Sequence, residues 1–189
     1  KNIFMADQVK TGKHPKALYI LFLTEMWERF AYYLMVGILL LYMTDSVTGG
    51  KGFSGRVGAD IVGSFIALVY LTPFIGGLIA DRVLGYTKSI FLGGFLMAAG
   101  YIGLSFPGDT AMFISLGLII VGNGFFKPNI SNMVGQLYKP NDKRKDAAYT
   151  IFYMGINLGG AIGPFICGLV GNTGNPADFK WAFLVAAIG

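Results

Sequence analysis

Five stretches of this chain are apolar over 18 residues or more: Ala17–Met43, Gly58–Ala80, Ser89–Phe106, Ala111–Tyr138 and Ala147–Val170. A helix rises about 1.5 Å per residue, so about 20 apolar residues cross the hydrocarbon core of a bilayer. Runs of that length, repeated through 189 residues, leave little polar surface for a soluble core. They are also too long and too evenly apolar for the short alternating strands of a membrane barrel. A sixth run starts at Trp181 and reaches Gly189. Between the runs stand helix-ending clusters: Thr48–Gly52, Pro107-Gly108-Asp109, Lys139–Asp142 and Asn172–Pro176. The expected fold is an all-α polytopic membrane protein. Residues 1–16 form a polar N-terminal segment and 17–189 a transmembrane bundle, truncated in its sixth helix.

Charge is scarce, 13% of residues against about 25% in soluble domains, so its placement is informative. One side collects Lys1, Lys10, Lys13, Lys16, Arg82, Lys88, Lys139, Lys143, Arg144 and Lys145, ten cations, and the other Lys51, Arg56 and Lys180, three. The positive-inside rule puts the N-terminus in the cytoplasm. The net charge of +5 follows from this topology and leaves too few cations for nucleic-acid binding. Cys167 stands alone within an apolar run and reads as a packing residue. His14 is the only histidine and lies outside the runs, so no metal site is expected. The chain has no nucleophile elbow, phosphate loop or zinc-protease motif, so no catalytic residues and no enzyme activity are expected.

Two cations remain, and both lie inside runs. Arg29 sits in Thr24-Glu25-Met26-Trp27-Glu28-Arg29-Phe30, beside two carboxylates. An ionised group at mid-bilayer costs about 2.5 kcal/mol or more unless it faces protein or a water-filled cavity. Positions 25, 28 and 29 share a helix face. Glu25 and Arg29 form an i, i+4 pair in the favourable order. Glu28 and Arg29 leave the helix about 100° apart, so Glu28 is expected to seek its partner on another helix. Lys127, followed by Pro128, supplies a candidate. Pro128 removes a helical N–H and frees the Gly124 carbonyl, which suggests a bend beside a cavity. The four intramembrane charges sum to zero, and one added proton upsets the balance, as a proton-coupled switch requires. A static cluster that only joins helices fits the same residues.

In the fifth run Gly155, Gly159 and Gly163 recur every four residues and form a packing ridge. Asn157 lies about 200° around from it and fits either an interhelical hydrogen bond or a ligand contact. Tyr32, Tyr33 and Tyr70 put polar tips inside spans, and each fits core packing or a cavity wall. Asp81 follows the small residues Gly77 and Ala80. It is expected to pair with a helix end or a cation in one conformation only, or else to act as a topology anchor.

Together these segments resemble a known family. Glu25-Met-Trp-Glu28-Arg29-Phe30-Ala-Tyr32-Tyr33 is similar to the ExxERFxYY motif on the first helix of proton-dependent oligopeptide transporters, the peptide branch of the major facilitator superfamily. Gly76-Gly77-Leu-Ile-Ala80-Asp81-Arg82-Val-Leu84-Gly85-Tyr86-Thr87-Lys88-Ser-Ile90 resembles that family's loop signature, and its Gly77, Asp81, Arg82 and Gly85 form a conformational loop motif. Phe126-Lys127-Pro128-Asn129-Ile130-Ser131 and Phe152–Gly160 resemble its fourth- and fifth-helix motifs. The resemblance implies the amino-terminal bundle of a two-bundle carrier in the cell (inner) membrane, whose missing partner is the C-terminal bundle of the full-length chain. It implies symport of di- and tripeptides with protons, with no cofactor beyond the proton. Glu25, Glu28, Arg29 and Lys127 would then couple protons, and Tyr32, Tyr33, Tyr70, Lys127 and Asn157 would line the peptide cavity. Val36 departs from the pattern, because many members carry an arginine there that contacts the peptide. A major facilitator carrier for another small solute, such as nitrate or an amino acid, and a non-transporting membrane scaffold are the alternative readings.

Overall fold

The computed structural model describes residues 13–171 and 173–189. Lys1, Lys10 and most of the polar N-terminal segment lie outside the described residues, as does Asn172. Six α-helices follow in order: α1 Lys16–Thr44, α2 Gly55–Ile79, α3 Tyr86–Leu104, α4 Asp109–Gln136, α5 Arg144–Val170 and α6 Asp178–Ile188. Each starts one to three residues before its expected span. The largest difference is at the end of α2. The helical path does not stop near Ala80 but widens into a π-turn over Ala80–Leu84, and Gly85 ends it at φ 75°. A positive φ at no steric cost is what glycine supplies.

Short polar clasps hold the turns. The Asp45 carboxylate accepts from the Thr48 and Gly50 amides at 2.7 and 3.2 Å. The Asp178 carboxylate accepts from Thr173, Gly174 and Asn175 amides at 2.7, 2.9 and 3.3 Å. At the end bearing the N-terminus, His14 Nδ1 lies 2.8 Å from the Tyr138 hydroxyl and Arg144 Nη1 donates to the Lys13 carbonyl at 2.8 Å. At the other end Lys51 Nζ pairs with Asp109 at 3.0 Å.

The packing repeats itself. α1 lies along α5 as α2 lies along α4, and α3 lies along α4 as α6 lies along α1. Exchanging α1, α2 and α3 for α4, α5 and α6 maps these pairs onto one another, the signature of two three-helix repeats. The contacts depend on small residues, because lipid gives no hydrophobic drive between helices and close backbone approach supplies the dispersion energy instead. The α5 glycines face α1: a Cβ on Gly155 would lie 2.9 Å from the Phe22 carbonyl oxygen and one on Gly163 2.6 Å from that of Phe30. Gly159 abuts the Met26 carbonyl in the same way, and across α2 and α4 Gly76 abuts the carbonyl of Gly124. That carbonyl is the one Pro128 deprives of its donor. α4 nevertheless stays helical through Pro128 from Asp109 to Gln136.

α2 through the π-turn, α3, α4 and α5 are each long and apolar enough to cross a membrane by length and composition. α1 is set apart by its three central charges. It is 29 residues long and fully buries Leu18, Leu34, Met35, Ile38, Leu39 and Met43. It packs against α2, α4, α5 and α6, so its charges are enclosed by protein rather than set against lipid.

Candidate functional site

Glu25, Glu28 and Arg29 are 1%, 6% and 2% exposed, halfway along α1. Packing of α1 against four other helices makes this possible, and the expected i, i+4 pair between Glu25 and Arg29 is present, although Glu28 is the closer partner. Arg29 grips Glu28, its immediate neighbour, through Nε to Oε2 and through Nη2 to Oε1 at 2.6 Å. Glu25 Oε1 is 3.6 Å from Arg29 Nε, and Glu25 Oε2 has no partner among the described residues. The arginine side chain is long enough to bend its fork back across the helix surface, and two parallel charge-assisted bonds outweigh one distant contact. Arg29 also lies 4.8 Å from the centre of the Tyr32 ring.

Glu28 does have a partner on another helix, although it is not Lys127. Asn123 Nδ2 on α4 donates to Glu28 Oε1 at 3.4 Å. Among the described residues Lys127 makes no ion pair within 4.0 Å, and its ammonium instead lies 5.1 Å from the centre of the Tyr70 ring on α2. A cation over an aromatic face is weakly held and open to a carboxylate. Tyr33 stands against Tyr32 with ring centres 5.4 Å apart and packs over Gly160 of α5.

Asn157 is exposed while Gly155, Gly159 and Gly163 are buried, so the ridge and the asparagine occupy different faces of α5. Asp81 and Arg82 are exposed on the π-turn, and neither has an ion pair among the described residues. Gly77 packs against Pro128, with a Cβ there 3.6 Å from the proline ring. Val36 is half-buried against the core. Among the described residues no group of three His, Cys, Asp or Glu could hold a metal ion.

Sequence reasoning assigned nothing to two buried polar residues beside the cluster. Asn123 is 0% and Tyr101 of α3 3% exposed, and Asn123 Oδ1 and the Tyr101 hydroxyl lack partners among the described residues. The signal for Asn123 was its spacing, four residues before Lys127 and so on the same face of α4. A lone tyrosine in a span carries no comparable signal.

A family profile described as PTR2, POT family, matches residues 87–189. The chain is 47% identical over 178 residues to the uncharacterized transporter YclF of Bacillus subtilis (strain 168), covering 93% of this chain and 36% of that protein. It is 46% identical over 179 residues to the di-/tripeptide transporter of Lactococcus lactis subsp. lactis (strain IL1403), covering 93% and 35%. A crystal structure of a peptide transporter POT in complex with sulfate superposes with a TM-score of 0.89 at 46% identity, over 96% of this chain and 37% of that one. The chain thus spans little more than a third of the length of these relatives.

Proposed function

The chain belongs to the POT family, and from that premise we propose that it forms the amino-terminal bundle of a proton-coupled symporter that imports di- and tripeptides by alternating access. The fold is the all-helical major facilitator fold and the protein is a multi-pass membrane protein. The observation that carries the proposal is the pairing pattern in the centre of the bundle. One cation, Arg29, is committed to a buried carboxylate, and a second, Lys127, has no ion pair within 4.0 Å among the described residues and lies over the Tyr70 ring.

The chemistry follows from that asymmetry. A proton delivered to Glu25 or Glu28 lowers the negative charge beside Arg29 and leaves the four-charge set net positive. A peptide carboxylate is then the anion that restores the balance, and Lys127 over Tyr70 is the cation free to receive it. Each ligand thereby favours the other, which is coupling in the thermodynamic sense. Tyr32, Tyr33, Tyr70 and Asn157 would contribute hydroxyl and amide contacts to the peptide backbone. The loop residues Gly77, Asp81, Arg82 and Gly85 would bias the conformations. This reading makes the protein a carrier, with the proton as its coupling ion and no cofactor. Its other partners are the lipid bilayer and the C-terminal bundle of the full-length chain. The ten-to-three cation asymmetry supports an N-terminus in the cytoplasm, and the family resemblance favours the cell (inner) membrane.

Val36 favours a second reading of the substrate. An apolar side chain stands where many family members present an arginine, so another small solute, such as nitrate or an amino acid, is the competing cargo. Proteoliposomes of the full-length protein with an imposed inward proton gradient decide between them. Labelled dialanine should accumulate, and unlabelled dipeptides but not nitrate or free alanine should compete. No accumulation of dialanine, with nitrate or alanine accumulating instead, would overturn the peptide assignment.

A further inference from the structure

Asn123 lies on α4 beside Glu28. Its side chain has no exposed surface, and a buried carboxamide is unfavourable unless its groups are paired. Among the described residues its side chain makes one hydrogen bond, from Nδ2 to Glu28 Oε1 at 3.4 Å, and Oδ1 has none. The carboxylate fixes which way the amide points, because the flipped form would set two acceptors against each other.

The register of the two helices explains the match. Successive spans run in opposite directions, so α1 and α4 are antiparallel. Glu25 precedes Glu28 by about 4.5 Å of rise and Asn123 precedes Lys127 by about 6 Å. Antiparallel packing that sets Asn123 level with Glu28 therefore brings Lys127 level with Glu25. Arg29, by contrast, grips Glu28 from the same helix. Its fork fixes the carboxylate relative to α1 and to nothing else. Among the described residues, the Asn123 bond is the one hydrogen bond that fastens the Glu25–Glu28–Arg29 cluster to another helix.

We infer that Asn123 is a positioning residue for proton coupling: it ties Glu28 to α4, so that the protonation state of Glu28 is passed to the helix that carries Lys127. This inference rests on the symport reading above. Asn123 donates to the ionised carboxylate, and protonation of Glu28 weakens that bond. The release is felt on α4 one turn from Lys127. Removing the donor favours neutral Glu28 and moves its protonation to higher pH. The other titratable groups around Glu28 are Glu25, Arg29 and Tyr32 on α1, Tyr101 on α3 and Lys127 on α4. All of them are left in place by a substitution at 123.

The test compares wild type, Asn123→Leu and Asn123→Asp in the full-length protein. Leu removes the donor at similar volume, and Asp sets an acceptor against Glu28. Two readouts are taken: the pH midpoint of proton-driven dialanine uptake, and infrared titration of the carboxyl C=O band identified by its loss in Glu28→Gln. Both midpoints should move to higher pH by about one unit in Asn123→Leu and further in Asn123→Asp. Peptide counterflow without a gradient should persist. Midpoints that stay at the wild-type value, whether or not uptake and counterflow fall, would overturn the inference and leave Asn123 a packing residue. If the infrared midpoint moves while the wild type accumulates no peptide, the tie stands and the symport reading fails. If Asn123→Leu does not fold, the larger shift in Asn123→Asp decides alone.

Discussion

Arg29 grips Glu28, its immediate neighbour in sequence, although the two side chains leave α1 about 100° apart. Breaking a buried, forked ion pair strands the remaining charge. Arg29→Ala and Glu28→Ala should therefore each cost about 3–5 kcal/mol, read as a lower unfolding temperature in detergent. Glu25→Gln removes the charge from one contact at 3.6 Å and replaces an oxygen that has no partner among the described residues. Its cost should be about 1 kcal/mol or less. Equal losses for Glu25→Gln and Glu28→Ala would contradict the observed pairing.

Glycine contacts give a prediction independent of charge. A Cβ on Gly76 meets the Gly124 carbonyl and one on Gly159 meets the Met26 carbonyl, and neither backbone can yield as a side-chain tip can. Gly76→Ala and Gly159→Ala should each destabilise by about 1–3 kcal/mol through forced separation of α2 from α4 or α5 from α1. Gly63→Ala, which meets nothing within 4 Å, should leave the unfolding temperature within error or raise it slightly.

How much of this was legible in the sequence depends on the range of the physics involved. Span length and apolar content are local and placed each helix start within three residues. The glycine period on α5 is local too, and it correctly separated the packing face from the face of Asn157. The π-turn at Ala80–Leu84 was not legible, because its widening depends on how α2 and α3 must meet around Gly85. The Glu25–Arg29 pair was legible in its i, i+4 spacing and is present at 3.6 Å, but the closer grip of Arg29 on Glu28 was not legible. Helical geometry fixes where a side chain starts, but Arg29 has four rotatable bonds, and its endpoint depends on which carboxylate α4 holds still. Lys127 was expected to meet a carboxylate, whereas among the described residues it has no ion pair within 4.0 Å and its ammonium lies 5.1 Å from the centre of the Tyr70 ring of α2.

That placement changes what loss of Lys127 should do. Since it makes no ion pair within 4.0 Å among the described residues, Lys127→Gln strands no partnered carboxylate. Its unfolding temperature should stay within about 1 kcal/mol equivalent of wild type, the size of one exposed cation–π contact. Peptide accumulation should be lost all the same. A large loss of stability would show that Lys127 does bridge to Glu25 or Glu28.

At the N-terminal end of the bundle, the Arg144 side chain and amide both donate to Asp142 and pull its carboxyl down to about 2. A depressed carboxyl contributes stability above its unfolded value, about 3.8, and loses it as pH falls toward about 2. The clasp of Lys13 to Arg144 should therefore be unchanged between pH 5 and 8. The His14–Tyr138 hydrogen bond survives either ring state, because the hydroxyl can donate or accept. Amide exchange at residues 13–18, corrected for intrinsic rates, should be flat across that range. Asp142→Asn should raise it at pH 7 while uptake is unchanged.

Helix geometry directs Arg29 away from Glu28, yet in the structure Arg29 turns onto it. That pairing singles out Glu28 as the coupling carboxylate. Protonating Glu25 on the oxygen that has no partner among the described residues breaks no hydrogen bond and weakens only the 3.6 Å contact with Arg29 on the same helix. Protonating Glu28 must open the Arg29 fork and weaken the Asn123 bond, which changes two helices at once. A coupling step needs that mechanical consequence. Glu28→Gln, fixed in a neutral state, should lose uphill uptake under a proton gradient by about 100-fold, the order of a 2–3 kcal/mol charge-assisted bond, yet retain counterflow. Glu25→Gln should shift the pH midpoint of uptake but still accumulate peptide. The reverse result, accumulation by Glu28→Gln in proportion to the imposed gradient with none by Glu25→Gln, would transfer the role to Glu25 and reduce the Arg29 fork to a structural pair.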